Sequence, residues 1–182
     1  GRTITTTEPK FIPQEAVELK LAGEVTIRVR LVDCVGFMVE GAAGHLEDGA
    51  ERLVKTPWYD HEIPFTQAAE LGTRKVITDH STIGVVVTTD GSFSDLPQET
   101  YLDAENQAIS ELKKLHKPFL VLVNSSHPSS RTAREAAERI EKQHSVAAMP
   151  VNCAQLSEED IRQIMEQILY EFPVSRVEFY MP

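Results

Sequence analysis

Residues Val25–Gly36 read Val-Thr-Ile-Arg-Val-Arg-Leu-Val-Asp-Cys-Val-Gly. Val25, Ile27, Val29 and Leu31 alternate with Thr26, Arg28 and Arg30, and this period of two predicts a strand with one buried face. Val32 adds one more apolar residue before the strand stops at Asp33-Cys34-Val35-Gly36. A carboxylate at the C-terminal tip of a buried strand, with glycine three residues later, suits a nucleotide phosphate. The Asp can hold Mg²⁺ through water, and the Gly N–H can approach a terminal phosphate with no Cβ in the way. Asp-x-x-Gly alone fits an ordinary strand and turn equally well.

Outward from this strand, Ala16–Leu21 reads as its partner across Ala22-Gly23-Glu24, a hairpin with a three-residue loop. The hydroxyl-rich segment Thr3–Phe11 reads as irregular, with Pro9 and Pro13 against helix. Downstream, the glycines and acids from Gly41 to Glu51 predict a loop of about twenty residues, a length that is usually functional. Pro64 opens a helix through Ile77, with Gly72 as a weak point. Ile83–Val87 predicts a central strand covered on both faces. A helix over Glu99–His116 leads to a second buried strand, Phe119–Val123, which ends at Asn124. Ser129 or Ser130 caps the next helix, and Val146–Val151, interrupted by Pro150, reads as a strand near an edge. Ser157 followed by three acids starts a last helix with an apolar stripe from Ile161 to Phe172, ended by Pro173. Val174–Tyr180 begins a new extended segment.

Strands alternating with helices from Ile83 onward predict an α/β fold with a mainly parallel sheet, to which the hairpin adds one antiparallel strand. Ligands bind beyond the strand C-termini in such sheets. Asp33, Asp90, Asn124 and Asn152 all fall at those tips, a placement that favours a nucleotide-type pocket.

The 182 residues are 41% hydrophobic and 25% charged, which suits one domain with a sizeable core rather than a disordered chain. A net charge of -10 disfavours nucleic-acid binding. Two cysteines, Cys34 and Cys153, make neither a disulfide framework nor a four-ligand zinc site. The six histidines have no ligand spacing. No apolar run reaches the roughly 20 residues that span a bilayer. Trp58 and Tyr59 read either as an assembly anchor or as a local core plug.

Order and spacing resemble P-loop GTPases of the translation-factor class. Thr6 and Thr7 fall where the first switch carries its Mg²⁺- and γ-phosphate-sensing threonine, and Asp33 and Gly36 match Asp-x-x-Gly. Asn124 opens the Asn-Lys-x-Asp base-reading motif, and Asn152-Cys153-Ala154 lies at the last base-contacting loop. Three departures stand out. Ser125 replaces the Lys, and His127 replaces the Asp that accepts hydrogen bonds from guanine, so guanine selectivity should be lost. Phe37 follows Gly36 where a water-orienting Gln is common. No G-x-x-x-x-G-K-[ST] occurs, so the phosphate cradle is expected upstream of this chain, which opens at Gly1 and reads as a fragment.

A closer resemblance accommodates these departures. Thr6–Phe11, Arg30–Gly36, Thr56–Tyr59, Gly72–Ile77, His80–Gly91 and Tyr170–Val174 are similar to the stage IV sporulation protein A family over nearly the whole chain. The resemblance implies a P-loop NTPase of translation-factor GTPase-like class, a three-layer α/β sandwich whose Walker A strand and loop are not in the chain. Residues 1–173 are then a partial ATPase domain, and 174–182 start the next. It implies a morphogenetic ATPase that uses ATP and Mg²⁺ and polymerises into filaments. These form the base layer of the spore coat, on the mother-cell side of the outer forespore membrane. A small amphipathic membrane-bound sporulation peptide and other coat proteins are implied as partners through regions absent here, with peripheral membrane attachment and no nucleic acid. By position, Thr6, Thr7 and Asp33 are implied as catalytic and Thr7 and Asp33 as metal-organising. Gly36, Asn124 and Asn152 are implied as nucleotide contacts. Two alternatives stay open: a degenerate nucleotide-fold scaffold without turnover, and a regulatory GTPase.

Overall fold

Five consecutive apolar residues, Phe119–Val123, leave no polar face for water, and they form the middle strand of the sheet. In the computed structural model, which describes residues 10–21, 25–39, 41–42, 46–47 and 49–172, this strand is β8 (Phe119–Asn124). It pairs in parallel with β7 (Gly84–Thr89) on one side and β9 (Ala148–Val151) on the other. The crossovers are α2 (Leu102–Lys114) and α3 (Arg131–His144), as parallel pairing requires.

Alternate residues of β8 face two different cores. Val121 and Val123 meet Ile109 and Leu112 of α2 and Ala136, Ala137 and Ile140 of α3. Leu120 and Leu122 face Ile164 and Ile168 of α4 (Glu158–Tyr170) on the opposite side. The parallel sheet is thus the middle of three layers. Ser130 caps α3 through the Ala133 N–H at 3.1 Å. Ser157 and Asp160 form a reciprocal capping box at α4, with the Asp160 N–H at 3.1 Å from Ser157 Oγ and the Ser157 N–H at 2.8 Å from Asp160 Oδ2.

Before the sheet, β1 (Lys10–Lys20) and β2 (Thr26–Asp33) form an antiparallel ribbon. β1 begins earlier than Ala16 and runs through Pro13. The ladder breaks between Ile12 and Val17, where a residue without an N–H removes no pairing bond. Past this irregularity the inward face of β2 changes: Ile27 and Val29 point in, Leu31 is 56% exposed, and Val32 takes the inner place instead. Among the described residues the ribbon shares no ladder with the parallel sheet, so the expected single mixed sheet is replaced by separate ones.

The expected loop after Gly36 contains two small hairpins: β3 (Leu46–Glu47) with β4 (Ala50–Glu51), and β5 (Leu53–Thr56) with β6 (Tyr59–Pro64). Trp58, in the turn of the second, lies against Gly72 of α1 (Phe65–Lys75) and beneath the Lys75 ammonium, 5.6 Å from the ring centroid. These contacts fit the reading of Trp58 as a local core plug. α1 continues as a π-helical turn, Val76–His80. The helix expected from Glu99 opens with a 3₁₀ turn, Gln98–Tyr101.

β7 is not covered on both faces. Val86 is buried on α2 and α3, but Val85 and Val87 are 41% and 58% exposed, because α4 packs over β8 and β9 and reaches only Ile83 nearby. At the start of β7, a Cβ on Gly84 would lie 2.7 Å from Leu112 Cδ2 and 3.2 Å from Phe119 Cβ. The Leu112 methyl would have to shift, and Phe119 Cβ, fixed to its own backbone, would have to give by a few tenths of an ångström. Gly84→Ala is therefore expected to cost about 1–3 kcal/mol in urea unfolding; an unchanged midpoint would contradict this packing. Pro173 and residues 174–182 lie outside the described residues.

Candidate nucleotide site

Asp33 is the last residue of β2 and is exposed. Gly36 follows with φ +83°, a left-handed conformation that favours glycine, and a Cβ built on it meets nothing within 4 Å. The backbone of Gly36 is held by Thr73 of α1, which is buried. The Gly36 N–H donates to Thr73 Oγ1 at 3.0 Å, and that hydroxyl donates back to the Gly36 carbonyl at 3.2 Å. Desolvation raises the Cys34 thiol pKa, against hydrogen bonds from Thr73 and Gly36 that lower it. Burial raises that of Cys153 as well.

The end of β2, α1 and β7 enclose a cavity of about 420 Å³, lined by Asp33, Gly36, Thr73, Val86, Thr88 and Glu105 among others. Glu105 of α2 is buried at its inner wall. It accepts from Thr88 Oγ1 at 2.8 Å and binds both arms of the Arg139 guanidinium, at 2.8 and 3.1 Å. A bidentate pair of this kind fixes the orientation of both side chains.

A second set of groups joins the tips of β7, β8 and β9. Asp90 Oδ1 accepts from the Ser92 N–H at 3.0 Å and from Ser92 Oγ at 2.6 Å, and Ser92 Oγ accepts from the Ser126 N–H at 2.8 Å. Fully buried Ser125 receives the His127 N–H at 3.1 Å. Asn124 Oδ1 accepts from the Cys153 N–H at 2.9 Å, and Asn152 Oδ1 from the Ala154 N–H at 3.1 Å. The structure thus joins Asn124 to the loop that follows Asn152. Both side-chain oxygens are occupied by backbone, which makes the two residues builders of a loop floor.

Asp90, one of the four polar residues that the sequence places at strand tips, is the hub of this set. Burial raises its pKa, but hydrogen bonds from Ser125 and Ser92 outweigh that and hold the carboxyl below its ordinary value. A depressed pKa stabilises the fold above the unfolded value of about 3.9, and the contribution is lost as pH falls through the folded value. Asp90→Asn should cost on the order of 1 kcal/mol at neutral pH, and the gap to wild type should close below about pH 4. Melting curves across that range check it; a gap of constant size would contradict the assigned hydrogen bonds.

Asp33 and Gly36 border the cavity, and Asn124 and Asn152 lie on the far side of β7 with Asp90. Thr6 and Thr7 lie outside the described residues. Thr73 and Ser92 were not singled out from sequence, and Ser125 was noted only as the residue that replaces the Lys of the base-reading motif. Thr73 sits inside the Gly72–Ile77 stretch, which was the one available signal.

Residues 1–173 match the family described as stage IV sporulation protein A, ATPase domain. The chain belongs to the stage IV sporulation protein A family. Over all 182 residues it is 46% identical to stage IV sporulation protein A of Clostridioides difficile (strain 630), and 41% identical to the proteins of that name from Bacillus anthracis and Bacillus subtilis (strain 168). The matches cover the whole chain but only 37% of the length of each of those relatives. No solved structure gives a significant match. Membership of an ATPase-domain family implies nucleotide binding on a P-loop-like fold, in agreement with the mixed α/β architecture.

The donor set suits magnesium. Among the described residues no cluster of three or more His, Cys, Asp or Glu is placed to cage an ion. Mg²⁺ keeps several waters and takes one or two carboxylates, so a single exposed Asp33 beside open space at Gly36 fits it. Among the described residues no helix is long and apolar enough to cross a membrane.

Proposed function

We propose that this chain is the larger part of an ATP-hydrolysing domain, with Asp33 organising Mg²⁺ and Gly36 facing the terminal phosphate. The observation that supports this most is the placement of both at the C-terminal end of β2, on a cavity whose far wall is β7. β2 and β7 are not paired with each other, and β7 presents Val85 and Val87 to solvent. A strand carrying the Walker A phosphate loop, supplied from upstream, would fill this gap and complete a translation-factor GTPase-like P-loop domain. Thr6 and Thr7 are proposed as the residues that sense the γ-phosphate and Mg²⁺.

ATP is favoured over GTP. Ser125, at the position of the base-reading Lys, is buried beneath the loop. His127, at the position of the guanine-reading Asp, has its Nδ1 2.9 Å from Ser126 Oγ. Neither supplies a carboxylate to guanine. In the complete protein, hydrolysis is proposed to drive filament formation in the mother-cell cytoplasm. The filaments would build the spore-coat base layer at the outer forespore membrane, recruited by a small amphipathic peptide and joined by other coat proteins through regions outside this chain. Phosphate release by the full-length protein should be several-fold faster with ATP than with GTP. Equal rates, or GTP alone, would overturn the ATP reading in favour of a regulatory GTPase.

One observation favours the non-hydrolysing scaffold: Thr73 already occupies the Gly36 N–H. Absence of phosphate release with any nucleotide would establish that reading.

A further inference from the structure

The Gly36 N–H cannot be fully given to Thr73 and to a phosphate at once, since it is a single donor. Thr73 is 4% exposed and makes both hydrogen bonds to the same glycine, across 37 residues of sequence. This double contact fastens α1 to the loop after β2. The unit formed by α1 and its π-helical turn has a second attachment to the ribbon: His80 meets Phe11 edge-on at 5.7 Å, and Arg30 lies 4.3 Å above the Phe11 ring. π-Helical turns recur where a helix is used functionally. The side-chain side of Gly36 is open, since a Cβ there meets nothing within 4 Å, while its N–H points at Thr73 Oγ1.

We propose that Thr73 is a positioning residue that competes with the terminal phosphate for the Gly36 N–H, so that a triphosphate loosens α1 from the Gly36 loop and a diphosphate leaves it fastened. This rests on the ATP reading above and adds to it a route by which nucleotide state reaches α1. It also accounts for the contact that favoured the inert scaffold, since the hydrogen bond that occupies Gly36 is the one a γ-phosphate replaces. With the terminal phosphate placed at Gly36, a diphosphate lacks the group that would take the N–H, so the two nucleotides should respond differently to loss of the hydroxyl.

The test is made in the full-length protein with a non-hydrolysable ATP analogue and with ADP. Thr73→Val keeps the side-chain shape and removes the hydroxyl. It is expected to bind the analogue about three- to ten-fold more tightly, from the loss of one competing hydrogen bond, with ADP affinity changed less than about two-fold. Thr73→Ser keeps the hydroxyl and should behave as wild type. A purely structural role would weaken or spare both nucleotides together, and that result, or an unchanged analogue affinity, overturns the proposal. A wild-type protein with no affinity for the analogue would overturn the ATP reading itself. Should Thr73→Val not fold, amide exchange in the wild type decides: α1 should exchange faster with the analogue bound than with ADP, and equal exchange counts against the competition.

Discussion

Replacing Arg139 with Ala is expected to remove about 3–5 kcal/mol of stability, the usual cost of leaving one member of a buried ion pair without its partner. The Glu105 side chain is 1% exposed and is held by both guanidinium arms and by Thr88. Without Arg139 the carboxylate keeps one neutral hydroxyl donor, from Thr88, in a position that is almost fully buried. The reverse change should be milder. The Arg139 side chain is 31% exposed, so in Glu105→Gln the guanidinium can turn outward and hydrate. Urea unfolding of the two variants measures the asymmetry. If Glu105→Gln costs as much as Arg139→Ala, the carboxylate is not the buried, dependent partner described here.

Asp33→Asn in the full-length protein should lower ATP hydrolysis about 10–100-fold, the range for a group that acts on a metal through its waters. Asn keeps the size and loses the charge, so the fold and the exposed tip of β2 should be preserved. Because the proposed role is to hold Mg²⁺ rather than to touch the reacting atoms, raising Mg²⁺ should restore part of the rate. Phosphate release measured as a function of Mg²⁺ concentration checks this. A variant with wild-type rate at low Mg²⁺ would remove Asp33 from the site.

The parts of the fold that depend on neighbours in sequence were legible. The apolar run of β8, the Ser130 and Ser157 caps and the edge position of β9 with its Pro150 follow from local rules, and all appear in the structure. What failed depended on distant partners. Ile83–Val87 looks like a doubly covered strand by composition, but coverage is decided by where α4 packs. Leu31 keeps the alternation of β2 on paper, while a ladder irregularity opposite changes the inward face. The short hairpins after Gly36 are too brief for periodicity to register. The candidate site divides in the same way. The places of Asp33, Asn124 and Asn152 at or just past strand ends were legible, because strand tips are predictable. Thr73 and Glu105 were missed because their partners lie 37 and 34 residues away, and no local pattern marks a threonine or a glutamate on a helix as buried.

The central claim is that nucleotide at the tips of β2 and β7 drives assembly of the complete protein. Sedimentation of the full-length protein with ATP, GTP, a non-hydrolysable ATP analogue or no nucleotide tests it most directly. The account predicts pelleting with ATP alone. Pelleting that is the same under all four conditions would contradict it and leave a nucleotide fold that serves assembly only as a scaffold.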